Sequence, residues 1–360
     1  SWEVKKLKMR GVLLVSFLLF VTFLVAGCFQ GEQTLEEIDV PEEVIFEDEE
    51  NEADLDEQQD ELEDELDESE ATVAREIYLI DADGLVVPQE LNLPKTESAA
   101  LTTLEYMVQD GPVTPMLPNG FQAVLPVDTE VLGMNLQEDG TLIIDLSEEF
   151  TQYKAEEEVK ILEAMTNTMT QFDKVERIKL WVNGEELEEM PVKGTPISSG
   201  YSPKQGINVF VDGKPNIQAS KAVTVFYPKQ NQDQIYYVPV TQYFSNDDQL
   251  YEKIIEAVMG APIFGVEATK VFNEAANLVE QPELKEGVLQ LVFNEDILKD
   301  KEEAVIADEV METLVKSLTS LEDVEAVELK VEDQARVVNE EGKVYDRPVT
   351  IQELQNKEKM

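Results

Sequence analysis

From residue 76 onward the chain alternates between two hydrophobic rhythms. Period-two runs such as "TLIIDL" (141–146), "RIKLWV" (177–182) and "AVELKV" (326–331) predict half-buried strands. Apolar residues spaced three and four apart predict helices. Val159, Leu162, Met165, Met169 and Phe172 form one such stripe, and Ile306, Val310, Leu314 and Leu318 form another. Two shorter helices are expected earlier. Thr96 caps the first, with Leu101, Leu104 and Val108 on its apolar face. Ser245 or Asn246 caps the second, ahead of Leu250, Ile254 and Val258. Both run into Gly and Pro, "DGP" at 110–112 and "GAP" at 260–262, so a left-handed glycine is expected to end each. Further strands are expected at 76–81, 121–126 and 131–136, and at 222–227, 235–239, 267–272, 276–280 and 287–293. Asp139-Gly140 and Glu286-Gly287 read as hairpin turns.

This order of elements occurs twice. "QEDGTLIIDLSEEF" from Gln137 answers "LKEGVLQLVFNEDI" from Leu284. "EEEVKILEAMTNTMTQFDKVERIKLWV" (156–182) answers "EEAVIADEVMETLVKSLTSLEDVEAVELKV" (302–331) at nearly the same offset. A repeat this long is a tandem domain duplication rather than a solenoid. The expected fold class is α+β: two tandem copies of a small domain, each with two helices packed on one face of a mostly antiparallel sheet. The expected domains are 76–198 and 219–345. The Pro-, Gly- and Ser-rich join at 199–218 is expected to belong to neither core, and 346–360 to be a C-terminal tail.

The first 75 residues follow different rules. Lys5, Lys6, Lys8 and Arg10 precede a run without charge from Gly11 to Ala26, and Val25-Ala26-Gly27-Cys28 closes it. Basic start, apolar centre and small residues at the end are the parts of an export signal. The run falls short of the roughly 20 residues of a spanning helix. The last four residues resemble the bacterial lipobox, which implies that 1–27 is a signal peptide and that Cys28 carries a lipid. An uncleaved anchor helix is the alternative. Residues 28–75 are then an acidic tether: no Lys or Arg lies between Cys28 and Arg75. Low hydrophobicity and one-sided charge predict that it stays disordered. A flexible chain of about 46 residues spans roughly 40 Å on average.

Charge and composition exclude whole classes of function. The net charge is −49, with 77 acidic residues and 28 basic ones, so nucleic acid is not an expected partner. Membrane attachment must come from the lipid, and the chain is expected to be a monomer in isolation. There is one cysteine and no histidine. Disulfides within the chain, His-based nucleophile pairs and the usual nitrogen ligands of zinc are therefore absent. No catalytic, metal or cofactor residue is assigned. What enzyme chemistry remains is a carboxylate pair, as in glycosidases. Asp145, Glu148 and Glu149 recur loosely as Asn294, Glu295 and Asp296. Acids at that place also suit the start of a helix without any substrate. "DADG" at 81–84 reads as a loop turn rather than a calcium loop. Trp181 stands where the second copy has Lys330, which fits an exposed strand face used for edge packing or for a partner.

The lipobox, the acidic spacer and two copies of a unit containing "DGTLIIDLSEEF" then "EEEVKILEAMTNTMTQFDKVERIKLWVNG" resemble the GerM family of sporulation and germination lipoproteins. The first copy matches better; "LVFNEDIL" in the second departs from the "DLSEEF" pattern. The resemblance implies tandem GerMN domains, similar to ring-building motifs, and a spore-forming Gram-positive source. It implies a non-enzymatic scaffold on the outer forespore membrane, facing the space between mother cell and forespore, with a secretion or channel complex as partner. Only Cys28 carries over as a functional position. A cell-wall glycan hydrolase and an extracellular ligand-binding module are the alternatives.

Overall fold

The computed structural model describes residues 71–357, apart from 212, 214, 215, 233 and 261–265. The expected signal peptide, Cys28 and most of the acidic tether lie outside the described residues. All described residues fall within one compact unit.

The first repeat opens with a hairpin of β1 (Thr72–Ile80) and β2 (Val86–Pro94), paired from Thr72↔Pro94 to Ile80↔Val86. Helix α1 (Ala99–Glu105) follows, then β3 (Val131–Leu136), β4 (Thr141–Leu146), helix α2 (Glu158–Met169), β5 (Arg177–Val182) and the two-residue β6 (Glu185–Glu186). The second repeat retraces this path. A longer hairpin joins β7 (Ser220–Asn231) to β8 (Gln234–Ser245). Helix α3 (Leu250–Met259), β9 (Glu283–Lys285), β10 (Val288–Phe293), helix α4 (Asp308–Leu318), β11 (Ala326–Val331) and helix α5 (Ile351–Lys357) follow among the described residues.

Each repeat thus has two sheets: the hairpin, and a sheet ordered β3-β4-β5-β6 or β11-β10-β9. Most pairings are antiparallel. β4 and β5 run parallel, as do β10 and β11, because a helix returns the chain between them. α2 packs against both the hairpin and the sheet, so it is buried well beyond one stripe. Leu162, Met165 and Met169 of the expected stripe are buried, and Val159 and Phe172 are half-buried. Polar residues on this helix close the hairpin edge. The Tyr78 N–H donates to Thr168 Oγ1 at 3.0 Å, and in the second repeat the Phe226 N–H donates to Ser317 Oγ at 2.9 Å.

Several local expectations need correction. β2 escaped notice because Pro88 and Pro94 interrupt its alternation, as they do on edge strands. The stretches 121–126, 267–272 and 276–280 are not regular strands. The first and third make isolated bridges only, Ile80↔Gln122, Val108↔Leu125 and Leu278↔Phe293. The caps are Ser98 and Gln249 rather than Thr96 and Ser245 or Asn246. No left-handed glycine ends either helix. Asp110, with φ 56°, takes that conformation before Gly111, and Gly260 is extended at φ −74°. The hairpin turns do form, in two different ways. Glu286 and Gly287 both have positive φ and make a two-residue turn, whereas at 137–141 only Gly140 does, in a loop one residue longer. The join is not independent of the cores: Tyr201 pairs with Ile178 through both backbone bonds, and Tyr201 and Ile207 are buried, as is Ile197 just before it. The expected tail also packs, with Val349 bonded to Val327 in both directions and Leu354 buried.

Candidate functional site at the junction of the repeats

The Asp81–Gly84 turn of the first repeat lies against β7 and β8 of the second. Asp81 Oδ1 accepts the backbone N–H groups of Asp83 and Leu85 at 3.0 and 2.9 Å, which shapes the turn. Its Oδ2 receives Lys229 Nζ at 2.7 Å and the Tyr236 hydroxyl at 3.1 Å. Lys229 also reaches Asp83. The Asp81 side chain is 1% exposed and that of Lys229 8%, so this ion pair is out of water. Burial alone would lower the lysine's pKa. The bonds to Asp81 and Asp83 outweigh it and hold the ammonium well above the ordinary lysine value. Burial and the Asp81 charge push the Tyr236 phenol up to about 12, so it stays a donor at any ordinary pH. The Tyr236 ring meets Phe121 edge-on at 5.1 Å, and Asn231 Nδ2 donates to the Asn119 carbonyl.

Asn208 makes the second contact. Its side chain lies between β2 and β8 and serves as a strand pairing would. Oδ1 accepts the Val86 N–H at 2.9 Å, and Nδ2 donates to the carbonyls of Val86 and Pro239 at 2.7 and 2.8 Å. Its backbone is left-handed, at φ 44°, a conformation asparagine tolerates better than most residues. Beside it the join runs along β8: the Thr241 N–H donates to Ile207 O, and the Phe210 N–H to Thr241 O.

The Asn208 N–H donates to Glu163 Oε2 at 3.1 Å. Glu163 is buried on α2, and burial raises its pKa to about 7, against the lowering effects of this bond and of Lys160. An unfolded chain releases this proton near 4.5, the ordinary value, and the folded chain near 7. Between those limits the folded state holds more protons, so stability falls as pH rises. Glu163→Gln removes that cost. The variant is expected to be more stable than the parent by on the order of 3 kcal/mol near pH 8, shrinking to about 1 or less near pH 5, in urea unfolding at the two pH values.

The candidate carboxylates are engaged locally. Asp145 Oδ1 accepts the Gly184 N–H at 2.9 Å, bracing the β5–β6 turn. Glu148 and Glu149 open a 3-10 turn ending at Thr151, and a hydrogen bond from Ser147 with its own backbone N–H lowers the Glu149 pKa. In the second repeat Asn294 Nδ2 donates to Asp296 Oδ2, Asp296 pairs with Lys301 at 2.6 Å, and Glu295 accepts from Gln334. Trp181 is half-buried on the outer sheet face, opposite Asp145 on β4 and Glu186 on β6. Asp81 is indeed a turn residue, and it also centres the junction, a role that only its partner in the second repeat reveals. Lys229, Asn208 and Glu163 were not singled out in the sequence. Two signals were available: an acid within the apolar face of α2, and a lysine inside the apolar strand "VTVFYPKQN".

A family model described as "Germane: Sporulation and spore germination" matches residues 76–188 and 224–337. Spore germination protein GerM of Bacillus subtilis (strain 168) is 42% identical over 340 residues, which is 91% of this chain and 92% of the relative. A solved structure of the tandem GerMN domains of the sporulation protein GerM from Bacillus subtilis matches with a TM-score of 0.69 and 44% identity. It covers 78% of this chain and 98% of that one.

Proposed function

This chain belongs to the Germane family of sporulation and spore-germination proteins, and we propose that it is a non-enzymatic, lipid-anchored scaffold that helps assemble or localise a complex spanning the envelope between mother cell and forespore. In this reading Cys28 carries the lipid on the outer forespore membrane, the acidic tether sets the working distance, and the paired repeats meet the partner proteins. The junction carries the proposal. A buried ion pair and an asparagine with three side-chain hydrogen bonds join two similar units into one block. That arrangement suits a molecule whose task is to present two surfaces at a set spacing. The engagement of Asp145 and Asp296 in structural bonds agrees with it, because those carboxylates have local work without any substrate.

Fractionation and affinity recovery from sporulating cells test the proposal. The wild-type chain is expected in the membrane fraction together with components of the envelope complex. Cys28→Ser is expected to leave the membrane and lose most of that recovery. Membrane-bound wild-type chain that recovers no envelope component would count against the scaffold.

A further inference from the structure

Sheet edges invite a further strand, and folded proteins usually blunt them. This chain does so at most of its described edges. Hydroxyls from the helices and Gln122 occupy β1 and β7. Asn208 lies between β2 and β8, and Val349 bonds to β11. β6 is two glutamates long, and β9 has only three residues, with Glu283 and Lys285 paired at 2.7 Å.

β3 is treated differently. It occupies the position of β9 in the first repeat, pairs among the described residues only with β4, and runs for six residues, Val131-Leu132-Gly133-Met134-Asn135-Leu136, without a charge or a proline. A bulge between Val131 and Gly133 shortens the regular pairing to Gly133–Leu136 and leaves Leu132 without a cross-strand partner, 50% exposed. Gly133 and Asn135 are exposed as well. The ends of this uncharged edge are acidic. Asp128 and Glu130 precede it, Glu138 and Asp139 follow it, and all four are exposed. Lys174 lies beside the far end, where Glu138, Asp139 and Glu176 outnumber it.

We propose that β3 is a docking edge for an extended, uncharged segment of a partner protein flanked by lysine or arginine. The backbone of Gly133–Leu136 supplies the strand pairing, Leu132 packs against an apolar residue of the partner, and the acids at both ends take its basic flanks. A second copy of this chain is the poorer occupant: its own β3 would bring the same acids to face these, on a molecule of net charge −49. The inference rests on the scaffold reading and names one surface through which the scaffold would work.

The test uses the full chain in lipid nanodiscs. The probe is a synthetic peptide of alternating valine and threonine between paired lysines, and its control has glutamates in place of the lysines. Hydrogen exchange is expected to show protection confined to Val131–Leu136 with the lysine-flanked peptide, weakening as salt is raised, and none with the control. Leu132→Lys is expected to weaken binding by at least about tenfold with exchange elsewhere unchanged. Asp128→Lys with Glu130→Lys, away from the core, is expected to move the preference toward the control peptide. No binding, equal binding of both peptides, unaltered binding by Leu132→Lys, or protection at another site would each overturn the inference. So would protection of β3 that grows with chain concentration alone, because a second copy would then be the occupant. Failure here with envelope components still recovered from cells removes only this edge; failure of that recovery removes the scaffold itself.

Discussion

Replacing Lys229 with methionine is expected to cost about 3–5 kcal/mol of unfolding free energy, as breaking a buried pair from one side usually does. The carboxylate of Asp81 is sealed at the junction, with one oxygen committed to the backbone of its own turn and the other to Lys229 and Tyr236. Methionine nearly matches the lysine stem in volume, so packing changes little, but it leaves a buried negative charge without its counter-ion, held by the two backbone N–H groups on Oδ1 and by the Tyr236 phenol on Oδ2. Asp83 matters less because its side chain is 39% exposed and water replaces the lost ammonium. Adding Asp81→Asn to Lys229→Met removes the stranded charge and is expected to recover most of the loss. Denaturant unfolding of the two single variants and the double variant checks this, and the coupling between the sites is the decisive quantity. A loss below about 0.5 kcal/mol, as for an ordinary surface change, would mean that the junction is not held by this pair.

Glu158→Ala is expected to cost about 3 kcal/mol, through a different mechanism. Glu158 is the first residue of α2 and is fully buried. Its two carboxylate oxygens collect the N–H groups of Val192, Lys193 and Thr195 and the hydroxyls of Thr195 and Tyr153, at 2.6 to 3.2 Å. A negative charge at the start of a helix is favoured as well. Burial would raise this carboxyl's pKa, but the bonds from Thr195, Lys193 and Tyr153 win, and it ends below the ordinary value. Its stabilising contribution is therefore full above the unfolded pKa and fades as pH falls through the lower, folded one. Alanine strands three backbone N–H groups in the loop that buries Met190. Fast amide exchange confined to residues 190–195, together with the loss of stability, would identify the mechanism. Glu158→Gln should fall between parent and alanine, because an amide has one good acceptor oxygen instead of two.

What the sequence revealed, and what it hid, follows from the range of the interactions. β4, β5, β10 and β11 and the helices α2 and α4 were legible because each carries a strong hydrophobic period over six or more residues. The tandem organisation was legible because those elements recur at one offset. β2 was hidden by two prolines that its edge position tolerates. The burial of Ile197, Tyr201 and Ile207 was hidden by the Gly, Pro and Ser around them. The junction was the least visible part. Asp81 and Lys229 are 148 residues apart, Val86 and Asn208 are 122 apart, and no periodicity links residues across that distance. Glu158 and Glu163 broke the apolar pattern of α2, yet a single acid on a helix reads as a surface residue until its partners are seen.

On the proposed function, this molecule works by placement rather than by catalysis. Spore yield tests it most directly, measured in a strain that lacks the native protein and carries either Cys28→Ser or the double variant Asp145→Asn with Glu149→Gln. The two amides keep an acceptor oxygen for the Gly184 and Ser147 contacts, so folding is expected to be retained. The double variant is expected to restore spore yield to the wild-type level, and Cys28→Ser to fail. A folded double variant that cannot restore sporulation, beside a Cys28→Ser chain that can, would contradict the account.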